Sequence, residues 1–283
     1  MCLFVASASS FAVGQQRHDG LFDSNGVPIH YVDTERGQPV VLLHGLTGTY
    51  ERHWEAPGVA AKLEAAGYRV IGIDCRGHGQ SGKPHAPESY GLEMVEDVVR
   101  LLDHLHIERA HVVGYSMGGA IATQLLVRHP DRLRTVTLVG SGWDGEDLHA
   151  VSSAMNQLAD GFARRDATAL IRGVTSGQKP LTEQDVAAAN NALFARNDPE
   201  ALAAAARGMP ALVDVPAARL RAVTLPLLAI VGEYDARNLQ GANRMRTVAS
   251  GMDVITIPGA THATTPAAAA QYIVAFLDAH KGP

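Results

Sequence analysis

The sequence predicts an α/β fold: a parallel sheet wrapped by helices and interrupted by a helical insertion. Three observations carry this. Short apolar, β-branched runs alternate with helical stripes from Val40 to Val139. One such strand enters a helix through the turn Gly114-Tyr115-Ser116-Met117-Gly118, which has the G-x-S-x-G pattern. From Trp143 to about Pro216 the alternation gives way to alanine-rich helical sequence, and strand-like runs resume at Leu225.

The chain bears out these periods in order. Leu21 to Thr34 reads as two short strands joined by the turn signal Asn25-Gly26. Val40-Val41-Leu42-Leu43 is compact and apolar, as a strand covered on both faces should be, and it ends in His44-Gly45-Leu46-Thr47-Gly48. A helix is predicted from about Trp54 to Ala66, closed by Gly67, and then the strand Tyr68 to Ile73. That strand delivers Asp74-Cys75-Arg76-Gly77-His78-Gly79-Gln80-Ser81-Gly82, which has neither the order of a P-loop nor the spacing of a dinucleotide fingerprint. Asp74 and Arg76 are read as braces of this loop. Gly91 to His106 carries a helical stripe in Leu92, Val95, Val98, Val99, Leu102 and Leu105.

Beyond the serine turn, Ala120 to Arg128 is helical and Arg134 to Val139 is strand. The insertion holds four predicted helices, Leu148 to Phe162, Ala167 to Val174, Glu183 to Ala195 and Glu200 to Arg207. Thr182-Glu183-Gln184-Asp185 reads as a capping box, and Asp198-Pro199 as an N-cap with proline in the first turn. Leu225 to Val231 and Asp253 to Ile257 are the last strands, and a helix from about Pro266 to His280 closes the chain. The domain reading is a core over 20–142 and 217–283 with a helical cap or lid over 143–216.

With 283 residues and 46% hydrophobic content, the chain can bury one large core. A formal charge of −5 without a long basic run argues against nucleic acid or an anionic membrane surface as partner. No stretch approaches the roughly 20 apolar residues of a spanning helix. Cys2 and Cys75 are too few for a disulfide framework and match no metal-ligand spacing, so no metal is expected. Residues 1–14 include an apolar run of signal-sequence length, with small residues placed for cleavage before Gln15 but no preceding basic residue. The reading favours export over cytoplasmic residence. Oligomeric state is not legible.

The chemistry gathers at strand ends. A serine lifted clear of a sharp strand-to-helix turn is a candidate nucleophile, and the Met117 N–H at the helix start is a candidate oxyanion donor. The plain alternative is a glycine-rich turn with an incidental serine. A serine hydroxyl needs a base, and the base needs an acid to orient it. Among 13 histidines only position discriminates. His262 follows the last strand in a loop, whereas His104, His106 and His280 fall in helices. Asp235 follows the preceding strand, giving the order Ser116, Asp235, His262. Asp144, just past an earlier strand, is the reserve acid. Leu46 is the source of the second oxyanion N–H, with a simple strand-to-helix loop as its alternative. Trp143 is the candidate for lining the mouth of the substrate pocket, with a structural place at the junction to the insertion as the alternative.

On His44-Gly45, Asp74-x-Arg76-Gly77-His78-Gly79-x-Ser81, Gly114 to Gly119, Gly232-x-x-Asp235 and Gly259-x-x-His262, the chain resembles the α/β-hydrolase family from about Phe22 to Leu277. The resemblance implies a mostly parallel eight-stranded sheet with helices on both faces and a cap after the sixth strand. It also implies a serine triad with backbone oxyanion donors that needs no cofactor. One departure is Thr261 before His262, where similar proteins more often carry glycine. Ser116 disfavours haloalkane dehalogenase and epoxide hydrolase chemistry, since similar enzymes of those kinds place an aspartate there. The expected function is therefore a serine hydrolase of small to medium carboxylic esters or lactones. The alternatives are a carbon–carbon bond hydrolase or a cofactor-free perhydrolase on the same residues, or a slow-turnover binding or sensor protein.

Overall fold

The described residues begin with a hairpin whose turn, Asn25-Gly26, has positive φ at both residues, 58° and 81°, the geometry a two-residue turn between twisted strands requires. It joins β1 (His18–Ser24) to β2 (Val27–Asp33) in antiparallel register. This computed structural model describes residues 17–145, 148–176 and 180–282. The signal-like segment expected over 1–14 lies outside the described residues.

Six further strands complete the sheet: β3 (Gln38–Leu43), β4 (Tyr68–Ile73), β5 (Ala110–Tyr115), β6 (Leu133–Val139), β7 (Leu227–Gly232) and β8 (Met252–Ile257). Their order is β1-β2-β4-β3-β5-β6-β7-β8. The β2–β4 pair is antiparallel and every pair from β4 to β8 is parallel. The sheet is thus eight-stranded and mostly parallel.

Alternate residues of each central strand feed opposite layers, as the period of two demands. Val41 and Leu43 of β3 pack with α2 (Leu92–His104) and α3 (Met117–Arg128), while Val40 and Leu42 pack toward α1 (Val59–Ala65) and α10 (Thr265–Ala279). Both faces being covered explains why these strands read as continuous apolar runs. The helix α9 (Ala236–Val248) lies on the α2–α3 side, through Ala242 and Met245.

Between β6 and β7 stand α4 (His149–Ala163), α5 (Thr168–Val174), α6 (Glu183–Phe194), α7 (Pro199–Val213) and the short α8 (Ala217–Arg221). The capping box at Thr182 forms in both directions, and Asp198 accepts from the Glu200 and Ala201 N–H groups. Phe162, Ile171, Val186, Phe194 and Leu202 build a small core of their own.

Two helical expectations are corrected. The helix expected from Trp54 to Ala66 is broken: a π-helical turn covers Glu51–Glu55, and α1 begins only after Pro57 and Gly58, the latter at φ 77°. Proline disfavours helix in the residue before it, and the left-handed glycine re-aims the chain. Conversely, α7 continues through Pro210 to Val213, well past Arg207. Burial of Ala201 to Ala206 and Leu212 outweighs the one helical hydrogen bond a proline forfeits. Among the described residues, no helix is long and apolar enough to cross a membrane.

Candidate active site

The turn from β5 into α3 is built by close approach. A β-carbon on Gly114 would stand 2.1 Å from the Gly118 carbonyl oxygen, and one on Gly118 would stand 2.3 Å from that of Leu43. Neither site admits a side chain. Between them Ser116 takes φ 53° and ψ −112°, a conformation a residue with a β-carbon adopts only under constraint. Its N–H is held by the Val139 carbonyl at 3.0 Å.

The loops after β7 and β8 bring the other two predicted residues to it. His262 Nε2 lies 3.1 Å from Ser116 Oγ, and His262 Nδ1 lies 2.6 Å from Asp235 Oδ2. A carboxylate can only accept, so the proton sits on Nδ1 and leaves Nε2 free to accept from the serine hydroxyl. Tyr115 backs the imidazole, its ring centroid 5.0 Å away, and its hydroxyl donates to the His262 carbonyl at 3.1 Å. Thr261, the departure noted in the sequence, is accommodated within a bonded turn. Its N–H donates to Thr264 Oγ1, and its carbonyl accepts from Thr265 Oγ1 at 2.6 Å.

Opposite the serine, two histidines pin the loop that carries Leu46. His44 Nε2 accepts from the Cys75 N–H at 2.9 Å, which leaves Nδ1 to donate to the Gly45 carbonyl at 2.8 Å. That carbonyl also accepts from the Gly48 N–H at 3.0 Å. Gly45 O and the Leu46 N–H are opposite ends of one planar trans peptide, so fixing the first aims the second. His53 Nδ1 accepts from the Gly45 N–H at 3.1 Å. Burial keeps both imidazoles neutral, pushing His44 down and His53 to about 3. Met117 is the first residue of α3, and its N–H is one the helix itself cannot satisfy.

The loop after β4 is braced as its sequence suggests. Asp74 accepts from the Tyr50 and Gln80 N–H groups, each at 3.0 Å, and meets His30 Nδ1 at 3.1 Å. Burial opposes its charge, but His30 and these N–H donors hold the carboxyl down to about 2. Arg76 grips Asp97 with Nε at 2.7 Å and Nη2 at 2.6 Å.

Residues 38–232 match the model of the alpha/beta hydrolase fold family. The chain belongs to that family. It is similar to 2-hydroxy-6-oxo-6-phenylhexa-2,4-dienoate hydrolase of Comamonas testosteroni, 38% identical over 117 residues, or 40% of each chain. It is also similar to epoxide hydrolase B of Mycobacterium tuberculosis, 38% identical over 134 residues, 45% of this chain and 36% of that one. The chain spans less than half the length of these curated relatives. Among solved structures, Est816, described as an N-acyl homoserine lactone degrading enzyme, is 26% identical with a TM-score of 0.72, covering 92% of this chain and 99% of that one.

In this α/β hydrolase a cavity of about 430 Å³ opens over Ser116 and His262, with Leu46 and Met117 in its wall. Its apolar sides come from α4 (Val151, Met155, Leu158), α5 (Leu170, Val174) and α7 (Met209, Val213). Asp144, the reserve acid, does not face His262; it stands in the cavity wall 3.4 Å from Arg237. Trp143 does not line this cavity. It is buried, with Nε1 donating to the Val215 carbonyl at 2.9 Å, so it ties the end of β6 to the approach to α8. This is the structural place at the junction to the insertion that the sequence offered as the alternative. Two residues that sequence reasoning missed also stand out. His53 carried no local signal, and Asn238, which touches Asp235, carried only its place one helical turn further on. Among the described residues, no cluster of three or more His, Cys, Asp or Glu side chains is placed to hold a metal ion.

Proposed function

We propose that this α/β hydrolase cleaves carboxylic esters or lactones of small to medium size through an acyl-enzyme formed on Ser116. The observation that carries the reading is the His262 imidazole, bonded through one nitrogen to Ser116 and through the other to Asp235, at the floor of an apolar cavity. In the proposed cycle His262 takes the Ser116 proton as the oxygen attacks the substrate carbonyl. The Leu46 and Met117 N–H groups hold the oxyanion, each such donor being worth about 10²–10³ in rate. His262 then protonates the leaving alcohol and activates the water that releases the acid, with Asp235 stabilising the imidazolium.

The helices over 143–216 act in this reading as a cap. Their walls suit an apolar acyl or alcohol group, and about 430 Å³ falls in the range of sites that enclose a small molecule. Serine in the nucleophile position turns the reading away from the epoxide hydrolases among the relatives. Likeness to Est816 supports a lactone among the substrates. A second reading, hydrolysis of a carbon–carbon bond in a dienoate, is favoured by the similarity to the Comamonas enzyme.

A panel of p-nitrophenyl esters, acyl lactones and a dienoate, run with wild type and Ser116→Ala, tests both. Turnover of esters or lactones that falls at least 10³-fold in the variant is the expected result. Equal turnover by the two proteins would overturn the assignment of Ser116, and a dienoate consumed faster than any ester would move the reading to carbon–carbon cleavage.

A further inference from the structure

Asp235 occupies the N-cap position of α9, where an aspartate ordinarily folds its carboxylate back onto the free N–H groups of its own helix. Here it makes no such bond. Its carboxylate instead extends to His262, and the group beside it is the Asn238 amide, three residues on. Asn238 Nδ2 lies 2.9 Å from Asp235 Oδ1 and 3.0 Å from Oδ2. Both carboxylate oxygens can only accept, so the amide must present its nitrogen. The same nitrogen is 3.2 Å from His262 Nδ1. In the tautomer argued above both nitrogens carry hydrogen, so this proximity arises because they donate to one carboxylate.

We propose that Asn238 is a positioning residue that holds the Asp235 carboxylate toward His262 and away from the N-terminus of α9. The inference rests on the proposed serine mechanism for its effect on rate, but not for its structural content. Residues one turn apart on a helix share a face, so Asn238 sits where the competing cap bond would form and supplies a side-chain donor in its place. Without it the carboxylate is free to rotate onto the helix N–H groups, gaining a cap while abandoning the imidazole. The other groups around His262 do not duplicate this role. Tyr115 supports the ring from β5, His53 is neutral beyond it, and Arg237 is paired with Asp144.

The test uses Asn238→Ala and Asn238→Leu, the second nearly preserving volume. Each is expected to lower kcat at least tenfold, bounded by the roughly 10⁴-fold cost of losing the acid's function in a serine triad. KM for a p-nitrophenyl ester should change little, and the thermal midpoint should be unchanged or higher. The proton NMR signal of His262 Nδ1–H, sharp in the wild type, should broaden through exchange with water in both variants. Wild-type kcat in the variants, or activity and thermal midpoint falling together, would overturn the proposal. Should Ser116→Ala prove as active as wild type, the serine mechanism fails instead. The Nδ1–H signal still decides the role of Asn238 in that case, since an unaltered signal in both variants overturns it.

Discussion

Ser116 has a backbone no ordinary residue chooses, and the price is set by its β-carbon. A non-glycine residue in such a conformation costs on the order of 1–3 kcal/mol, which glycine escapes. Ser116→Ala keeps the strain and Ser116→Gly releases it, at the cost of a more flexible unfolded chain. The expected outcome is that Ser116→Gly is more stable than Ser116→Ala by about 1 kcal/mol, both being inactive. Calorimetry of the two variants checks it, and a glycine variant that melts below the alanine one would refute the strain. The same residue was also the most legible in the chain. Gly114 and Gly118 declare the close contacts around it, and Asp235 and His262 follow strands that an apolar run reveals. Asn238 and His53 were illegible because a polar side chain's partner lies in another segment, and no local period encodes that distance.

At the scale of elements, the loop after β4 depends on a buried ion pair. Arg76 and Asp97 are both nearly inaccessible, and Arg76 also donates to the Ser89 carbonyl at 2.6 Å. Removing one partner leaves the other charge buried with only longer ion pairs, Glu93 at 3.8 Å for Arg76 or Arg100 at 4.0 Å for Asp97, which costs up to about 3–5 kcal/mol, whereas replacing both with apolar residues costs far less than the sum. Arg76→Met, Asp97→Leu and the double variant, compared by urea unfolding, should therefore show strong coupling. Additive losses would mean that the pair is not what anchors the loop. The central strands were easy to read because burial on both faces gives unbroken apolar runs. Helices were harder where tertiary burial overrode a local rule. Pro57 and Gly58 break the helix expected from Trp54 to Ala66, while Pro210 does not end α7 because its neighbours are packed. The alanines of α7 are buried in the fold, and they bring α7 close to its neighbours.

Across the whole molecule, buried histidines set the response to acid. Burial pushes His53 and His78 to about 3 and His111 to about 4. A depressed histidine binds protons in the unfolded chain first, so its stabilising contribution is present above the unfolded value near 6.5 and is lost as pH falls. His30 runs the other way. Its bond to Asp74, opposed by burial and helped by Asp19, raises it, so its contribution is present below about 6.5 and fades as pH rises through the folded value. Burial lowers His44 as well, so four depressed histidines oppose the raised His30 and outweigh it. The urea midpoint should fall from pH 7 to pH 4.5, each depressed histidine adding at most about 1.4 kcal/mol per pH unit. His111→Gln should flatten that slope, and a midpoint that holds steady or rises on acidification would contradict this account.

The division of apolar side chains along α7 bears on how such a protein changes over generations. Leu202, Ala203 and Ala206 belong to the small core of the helices between β6 and β7, whereas Ala204, Ala205 and Leu212 belong to the core beneath the sheet. One helix thus serves as the seam between two separately packed bodies. Leu158 and Leu170, which wall the cavity, pack on the small core of those helices, on the far side of that seam from the strands that hold Ser116, Asp235 and His262. On the proposed function, substitutions there would reshape what the cavity admits while leaving Ser116, Asp235 and His262 undisturbed, so specificity and chemistry would be inherited on different parts of the chain.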